Sequence, residues 1–395
     1  MRGAAAPSVE GCSPVSEAPH TRSPLPPPEG APSPGEGREA SAASSRRPVP
    51  RRHILVGAVG ALAAAGLGWG GGGRGGHAES IRFLTIGTGT TGGTYFPIGG
   101  ILANAISNPP GSPGCDRGGS CGIPGVIAVA QTTSGAVENI EALRAARYET
   151  GLVQADIGFL AYKGKGPYAG KPPFTELRAL ANLYSETVHL VVRGDSPIKT
   201  VNDLKGRRVA LGEKGSGTLP TALLILQAHD LSEKTVQPFY LNPGTAGDRL
   251  ASGQLDAFFI IGGYPLPAVA DVAARLPVRL ISIIDARLPR LSPGLPLFTE
   301  TTIGGDGAYV GVPETKTLGV GAQWLATTAL PDELAYGIVK ALWHPNTHRL
   351  LVAGHPRGDS IRKEAALTGL AVPLHPGAAR YYREQGFDVT LATSG

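Results

Sequence analysis

The sequence has few cysteines, few aromatic residues and no block of charge of one sign. Among 395 residues there are three Cys, one Met and 6% aromatic residues. The net charge is +5, but residues 1–78 hold eight Arg and five Glu, so the remaining chain carries 28 basic and 26 acidic residues. That remainder lacks the basic stripe typical of nucleic-acid binding. We therefore expect no nucleic-acid partner.

The first 50 residues lack the apolar content of a folded domain. They are rich in Pro, Ser, Ala and Gly, and such a stretch cannot bury enough apolar surface to offset its ordering entropy. We expect residues 1–50 to be a disordered leader or the result of a start codon placed too early. Met1 is the sole methionine, so a later start would use a codon read as Val or Leu, with Val49 as the candidate.

An apolar run of membrane-spanning length is also missing near the N-terminus. Arg51 and Arg52 precede an apolar run over 54–68, and small residues continue to Ala78. The run is shorter than the roughly 20 residues of a membrane span. Basic, apolar and small residues in this order are typical of an export signal, and the Arg pair fits the twin-arginine type. Residues 51–78 are predicted to be such a signal, cleaved near Ala78 for a periplasmic location, with an uncleaved anchor as the alternative.

The cysteines are too few for a disulfide framework. Cys12 falls in the leader, whereas Cys115 and Cys121 flank "DRGGS" in a Gly/Pro-rich insertion. In an oxidising compartment a close pair predicts a small disulfide loop. Free thiols and half a metal site are the alternatives, and no second ligand pair lies nearby in the sequence.

A histidine pair in "HPNTH" has a spacing that can bind metal on a helix face. His344 and His348 lie four residues apart, but no Glu or third ligand follows, and Pro345 follows the first His. We interpret the pair as a solvated surface.

From residue 81 onward, apolar runs alternate with helix-like segments, which implies parallel strands with helical crossovers. The run "IRFLTIG" leads into Gly87, Gly89 and Gly92, a G-x-G-x-x-G spacing typical of dinucleotide-binding folds. The acidic residue that such folds need after the next strand is missing, because "VIAVAQTTSG" ends in Thr and Ser. The loop is therefore interpreted as an anion site at a helix N-terminus.

The segment "LGEKGSGTLPTALLIL" (211–226) repeats the order of strand, Gly-rich loop and helix. It lacks the Lys of a P-loop and the two glycines of a nucleophile elbow around Ser216. Ser216 and Thr218 can serve as N-caps or can donate hydroxyl hydrogen bonds to a ligand. Two loops of this kind, one in each half of the chain, indicate an anion site shared between two lobes.

Several segments resemble one family of solute-binding proteins. They are "IGTGTTGGTYFPIGG", "GLVQADIGFLAYKGKGPY", "LRALANLYSETVHLVVR", "VNDLKGRRVALGEKGSGT", "LASGQLDAFFIIGGYP" and "PLHPGAARYYREQG". Together, and in this order, they resemble the TAXI class, which serves tripartite ATP-independent periplasmic (TRAP) transporters. The resemblance runs from about residue 81 to the C-terminus, and the leader and the cysteine insertion depart from it.

The resemblance implies a type II periplasmic-binding-protein fold, in which hinge strands join two α/β lobes around a ligand cleft. Residues 81–193 and 286–395 would build one lobe and residues 194–285 the other. The implied function is to capture a small carboxylate or amino acid, similar to glutamate, glutamine or 2-oxoglutarate, and to deliver it to TRAP membrane subunits. A monomer without cofactor, metal or catalytic residues is expected.

Two other functions stay open from the sequence alone. One is an exported α/β hydrolase or transferase, although a Ser-His-Asp order, a metal set and a paired-carboxylate motif are absent from the sequence. The other is a ligand-binding partner of a sensor kinase.

The resemblance and the loop chemistry together predict thirteen ligand-binding residues. For Thr133, Ser134 and Asp156 the alternative is helix capping, and Tyr264 either covers the ligand or packs at the hinge. The predicted set is Gly89, Thr90, Thr91, Gly92, Tyr95, Thr133, Ser134, Gln154, Asp156, Ser216, Gly217, Thr218 and Tyr264.

Overall fold

Strands and helices alternate along most of the chain in a computed structural model, which describes residues 81–285, 297–305 and 308–390. The strands are β1 (Arg82–Gly87), β2 (Ser107–Asn108), β3 (Ile123–Pro124), β4 (Val126–Gln131), β5 (Thr150–Gln154), β6 (Leu177–Arg193), β7 (Arg208–Ala210), β8 (Gln237–Phe239), β9 (Ala257–Gly262), β10 (Val278–Leu280), β11 (Thr299–Ile303) and β12 (Thr315–Thr327). The helices are α1 (Tyr95–Ile106), α2 (Ala136–Arg144), α3 (Ala155–Lys163), α4 (Thr218–Ala228), α5 (Pro243–Ala251), α6 (Pro267–Arg275), α7 (Asp332–Leu342), α8 (Pro345–Gly354) and α9 (Pro376–Glu384).

Local sequence accounts for where several helices start. Pro stands in the first turn of α5, α6, α8 and α9, where its missing N–H has no intrahelical acceptor and its fixed φ suits the helix. Helix α4 buries Thr221, Ala222, Ile225 and Leu226, a spacing that turns one face toward the sheet.

Ten of the described strands form one sheet in the order β4-β1-β5-β12-β6-β9-β7-β8, with β10 beside β6 and β11 beside β12. The three strands at each end are parallel to one another. Between these groups, β12 runs antiparallel to β5 and β6, and β6 runs antiparallel to β9. The sheet is therefore mixed, whereas the alternation of the sequence predicted parallel strands.

The long strand β6 passes from one hydrophobic core into two others. Its first half, up to Tyr184, packs in a cluster with β1, β5, α1 and α2. Further along, Val188, Leu190 and Val192 belong to a second cluster, whereas Val191 belongs to a third on the opposite face. This alternation follows from the two-residue period of a strand.

Two α/β lobes joined by long shared strands are thus present, and the expected fold class is confirmed. The predicted lobe boundaries stay a prediction. Ile303 and Val312, which follow residue 286, pack in the third cluster with residues of α5 and α6.

The leader (1–50), the export signal (51–78) and its cleavage site near Ala78 lie outside the described residues. All described residues belong to one compact unit, Arg74–Gly395. Within them, no helix combines the length and the apolar character that a membrane span needs.

The predicted disulfide between Cys115 and Cys121 is confirmed. It closes a Gly-rich loop between β2 and β3, where Gly118 has a φ of 79° that favours glycine. The interpretation of "HPNTH" as solvated surface is wrong for His344, which is half-buried and caps α8. Its Nδ1 accepts a hydrogen bond from the Asn346 amide at 3.1 Å, a contact that forms because Pro345 starts the helix there.

Candidate functional site

Three helices begin around one small chamber between the two lobes. They are α1, α2 and α4, whose first residues Tyr95, Ala136 and Thr218 all line it. The first N–H groups of a helix have no acceptor within the helix, and they carry the positive end of its dipole. The chamber is therefore surrounded by partial positive charge from backbone.

The lining comes from both lobes and from the shared strands. It consists of Gly89, Thr90, Gly93, Thr94, Tyr95, Ser134, Gly135, Ala136, Gln154, Glu186, Gly212, Glu213, Ser216, Gly217, Thr218, Leu241, Pro243, Phe259, Ile260 and Ile261. Among these described residues none is Lys, Arg or His. The cavity volume is about 60 Å³, which is room for a handful of water molecules at roughly 10–15 Å³ each.

The loop before α4 reaches the chamber because two glycines adopt left-handed backbone. Gly212 and Gly215 have φ values of 97° and 91°, a conformation that other residues enter at a cost. A Cβ at Gly212 would also lie 2.9 Å from the Ser216 hydroxyl. These turns direct Ser216 and Gly217 toward the other lobe.

Direct contacts between the lobes close the chamber on several sides. The Glu138 amide of α2 donates to the Gly215 carbonyl at 2.9 Å, and the Thr94 hydroxyl donates to the Gly263 carbonyl at 2.8 Å. Gln154 lies so near Gly217 that a Cβ there would be 1.6 Å from its Oε1. The described structure is therefore a closed arrangement.

A buried acid forms one wall of the chamber. Glu186 on β6 is 2% exposed, and its Oε2 accepts a hydrogen bond from the Tyr95 hydroxyl at 2.7 Å. Burial raises the pKa of Glu186 to about 8, against the opposing effect of the Tyr95 hydrogen bond. Near neutral pH this carboxyl is mostly protonated, and a cation placed beside it would favour its ionised form.

Two further polar atoms at the chamber are buried without a hydrogen-bond partner among the described residues. They are Nε2 of Gln154, a donor, and Oε1 of Glu213, an acceptor. Burial also raises the pKa of Glu213. Unpartnered buried groups are uncommon in folded proteins because each one costs free energy. One unmet donor and one unmet acceptor fit a ligand that carries both kinds of group.

Eight of the thirteen predicted ligand-binding residues line the chamber: Gly89, Thr90, Tyr95, Ser134, Gln154, Ser216, Gly217 and Thr218. Two of them also have local roles. The Ser216 hydroxyl accepts from the Leu219 amide at 3.2 Å, and the Thr218 hydroxyl accepts from the Ile261 amide at 3.2 Å. The ligand contacts themselves stay a prediction.

Five of the predicted residues do not line the chamber: Thr91, Gly92, Thr133, Asp156 and Tyr264. Thr91 is exposed, and Gly92 approaches α5 and α6, with its carbonyl 3.4 Å from the Ala268 amide. The Thr133 hydroxyl accepts from the Gly135 amide at 3.1 Å in the turn before α2, but no side chain makes a capping hydrogen bond at the start of that helix.

Asp156 faces a different cavity. It lines a separate groove of about 730 Å³, whose walls include Phe159, Leu219 and Leu223. The Thr221 hydroxyl of the other lobe donates to its Oδ2 at 3.2 Å, and burial raises its pKa to about 7. Asp156 therefore joins the lobes behind the chamber instead of facing into it.

Tyr264 lies on the hinge side. Its ring lies under the Arg357 guanidinium, 4.6 Å from the ring centroid, and its hydroxyl donates to the Thr302 carbonyl at 3.5 Å. This is the packing position considered as the alternative to a ligand contact.

Sequence reasoning missed Thr94, Glu186 and Glu213. Glu186 had a usable signal, because it is the one acid in the buried strand "LRALANLYSETVHLVVR", and a charged residue in a buried strand is rare without a function. Glu213 and Thr94 lie within the recognised loop segments, but nothing in the sequence distinguished them as ligand-binding residues.

We expect Glu186→Gln to stabilise the ligand-free protein above neutral pH. The pKa of Glu186 is about 8 in the folded protein, against an ordinary value of 4.5. Between pH 4.5 and pH 8 this carboxyl is therefore protonated in the folded state and ionised in the unfolded state. This carboxyl therefore makes stability fall as pH rises from 4.5 to 8, and Gln removes that dependence. Thermal unfolding from pH 5 to pH 9 should show a gain in Tm that grows with pH and levels off above about pH 8.

The exposed Glu176 provides the matched control, because Glu176→Gln removes a carboxyl of the same size from the surface. We expect little change in Tm for this variant. A Glu186→Gln effect of equal size at every pH would contradict the account of its burial.

Comparison with known proteins gives both a family and individual relatives. A protein of Escherichia coli (strain K12) described as an aliphatic sulfonates-binding protein is 37% identical over 87 residues, which are 22% of this chain and 27% of that protein. The chain thus matches only about a quarter of the length of this relative.

Two solved structures are similar at low sequence identity. The periplasmic aliphatic sulphonate binding protein from Escherichia coli shares 19% identity, with 77% of this chain and 84% of that chain covered and a TM-score of 0.41. The alkanesulfonate-binding protein from Xanthomonas axonopodis pv. citri, bound to MOPS, shares 17% identity over 80% of this chain and 98% of that chain, with a TM-score of 0.42.

The family match covers most of the described residues, including every element that lines the chamber. The profile of the NMT1-like family matches residues 86–386. This chain therefore belongs to the NMT1-like family.

Proposed function

We propose that this protein is a periplasmic solute-binding protein that captures a small zwitterion, preferably an amino acid, and passes it to a membrane transporter. One observation carries the proposal: three helix N-termini and two carboxyl groups, the buried Glu186 and the half-buried Glu213, line one closed chamber, with no basic side chain among the described residues that line it. Such a chamber suits a ligand with one negative and one positive end.

The anionic end of the ligand would lie against the starts of α1, α2 and α4. A hydrogen bond to a charged group contributes about 1.5–3 kcal/mol, and a helix terminus adds about 0.3–1 kcal/mol. Three or four such contacts, less the cost of association, can reach micromolar affinity, about −8 kcal/mol. Nε2 of Gln154 supplies a further donor that has no other partner among the described residues.

The cationic end would lie against Glu186 and Glu213. An ammonium group satisfies the unpartnered Oε1 of Glu213, and it favours the ionised form of Glu186. A ligand with two negative charges and no ammonium, such as 2-oxoglutarate, would bring like charges together without a counter-charge. Amino acids are therefore favoured over oxo acids, which narrows the ligand class expected from the sequence.

The small size of the chamber favours ligands with short side chains in the closed arrangement. Its volume of about 60 Å³ is far below the roughly 300–1,000 Å³ of sites for drug-sized ligands. Glutamate or glutamine would require the lobes to close less tightly than in this structure.

Binding is favoured over catalysis by the composition of the chamber. Among the described residues that line it there is no Cys or His, and the Ser216 hydroxyl donates to the Glu213 carbonyl at 2.7 Å instead of to a base. Nucleophilic catalysis needs such a base within hydrogen-bond reach. A hydrolase or transferase is therefore the weaker alternative.

The membrane partner we propose is the membrane part of a TRAP transporter, because the quoted motifs resemble the TAXI class. The predicted export signal supports delivery to the periplasm. A sensor kinase would use the same ligand chemistry, and co-purification with TRAP membrane subunits encoded beside this chain would distinguish transport from sensing.

The ligand class can be tested with matched pairs that differ by one ammonium group. The pairs are alanine with propionate, glutamate with glutarate, and taurine with ethanesulfonate, which extends the test to the sulfonates that the relatives are named for. In calorimetry the amine-bearing member of a pair should bind at least tenfold more tightly. Comparison across pairs then separates carboxylate from sulfonate recognition.

The same titrations with variants assign the cation contact. Glu186→Gln and Glu213→Gln should each reduce the advantage of the amine, whereas Glu176→Gln should keep it. If propionate bound as tightly as alanine and all three variants behaved as wild type, the zwitterion proposal would be wrong.

Closure can be tested separately from ligand class. Each lobe supplies part of the chamber, so ligand shifts the lobes toward the closed form by its differential affinity for that form. X-ray scattering should show a smaller radius of gyration with saturating ligand than without it. An unchanged radius at saturation would contradict the hinge account.

A further inference from the structure

We propose that the Cys115–Cys121 disulfide is a thiol–disulfide exchange site, which is reduced by a low-molecular-weight thiol such as glutathione. The site is independent of the ligand chamber. It is formed where the loop between β2 and β3 meets the first turn of α8.

Two hydrogen-bond donors point at the two sulfur atoms. Nε2 of His344 lies 3.8 Å from Sγ of Cys115, and Nδ2 of Asn346 lies 2.8 Å from Sγ of Cys121. Because Nδ1 of His344 accepts from the Asn346 amide, the proton of a neutral ring is on Nε2, and this nitrogen donates toward the sulfur.

This tautomer also decides between a metal site and a redox site. The ligand atoms of Cys115, Cys121 and His344 lie within 4.8 Å of one another, which could suit a metal ion if the cysteines were reduced. A metal-binding His, however, donates its other N–H to an acceptor. Here the other nitrogen is itself the acceptor, so the arrangement fits stabilisation of a thiolate better than binding of a metal.

The two hydrogen-bond donors stabilise the reduced state more than the oxidised state. A disulfide sulfur is a weak acceptor, whereas a thiolate accepts strong charge-assisted hydrogen bonds. The N-terminus of α8 adds its partial positive charge at the same place. Stabilised thiolates make a disulfide easier to reduce, because they favour the reduced product and leave more readily.

Both cysteines are half-buried, and an open cavity adjoins one of them. Cys121 and Asn346 line an open cavity of about 600 Å³, together with Arg349, whereas Cys115 does not line it. The cavity therefore gives an incoming thiol an approach to Cys121. The Arg349 guanidinium, which also donates to Oδ1 of Asn346, lies at the wall of this cavity, where it can attract the carboxylates of glutathione.

The reaction balances with two equivalents of thiol. A thiolate attacks Sγ of Cys121 and forms a mixed disulfide, while the bond to Cys115 breaks and its electron pair leaves on Cys115 Sγ, beside the His344 N–H. A second thiolate attacks the glutathione sulfur of the mixed disulfide. Oxidised glutathione is released, and Cys121 leaves as a thiolate beside Asn346.

The test is a redox titration of the purified full chain in glutathione buffers with a metal chelator present, read by thiol alkylation and mass. The variants are His344→Asn, which keeps an N-cap acceptor but removes the ring donor, and Asn346→Leu, which removes the amide donor. The control is His348→Asn, one turn further along α8 and outside the cluster.

We expect the wild-type disulfide to be reduced by glutathione. The equilibrium constant for reduction should fall about tenfold in each donor variant, equivalent to about 30 mV, and should stay unchanged in the control. In the reduced proteins, thiolate absorbance at 240 nm should appear at lower pH in wild type than in the two donor variants.

The proposal fails if the wild-type disulfide stays oxidised in reduced glutathione alone. It also fails if both donor variants, folded by circular dichroism, titrate like the control. Neither result would bear on the ligand chamber, so this proposal and the proposed function can be judged separately.

Discussion

The hydrogen bond between Tyr95 and Glu186 is the constraint on which the site depends. It places a carboxyl group in a small chamber, and no described residue that lines this chamber has a basic side chain. Burying this carboxyl group costs free energy in the ligand-free protein, as the raised pKa of Glu186 indicates. We infer that this cost persists because the carboxyl is needed when ligand is present, where a cation can stabilise its ionised form.

The fold around Glu186 supplies the helix starts of the site. Strand β6 carries Glu186 where it passes between the cores of the two lobes, and the helices α1, α2 and α4 begin at the edge where their preceding strands or loops end. Ligands of open α/β sheets bind at such edges. In the proposed function, backbone amides bind the anionic end of the ligand, since no described lining residue is basic, and the acids of the chamber bind its cationic end.

Local sequence patterns were enough to find the two Gly-rich loops of the chamber but not its acidic residues. The segments around Thr90 and Ser216 were recognisable because Gly, Ser and Thr follow an apolar run and precede a helix. Glu186 was marked out as the one acid of a buried strand, but its place in the chamber depends on the pairing of β6 with β9 and β12. Asp156 was predicted to bind ligand because its segment resembles the TAXI class, with helix capping as the alternative, but the start of α3 turns it toward Thr221.

The mixed sheet was beyond sequence reasoning for a related reason. Alternation of strands and helices predicts crossovers, but it does not reveal a strand such as β12, whose glycines at 319 and 321 weaken the strand pattern. That strand is fixed by tertiary packing, because it is buried between β5 and β6. The contact of His344 with the disulfide likewise joins residues 229 positions apart in the sequence.

The most direct measurement of the central claim is the number of protons released when an amino acid binds. Near pH 7 Glu186 is mostly protonated, since its pKa is about 8, and the ammonium of the ligand already carries its own proton. Calorimetry of alanine binding at pH 7, in buffers of different ionisation enthalpy, should show release of up to about one proton, and this release should disappear in Glu186→Gln. Binding without proton release, or with proton uptake, would contradict the account.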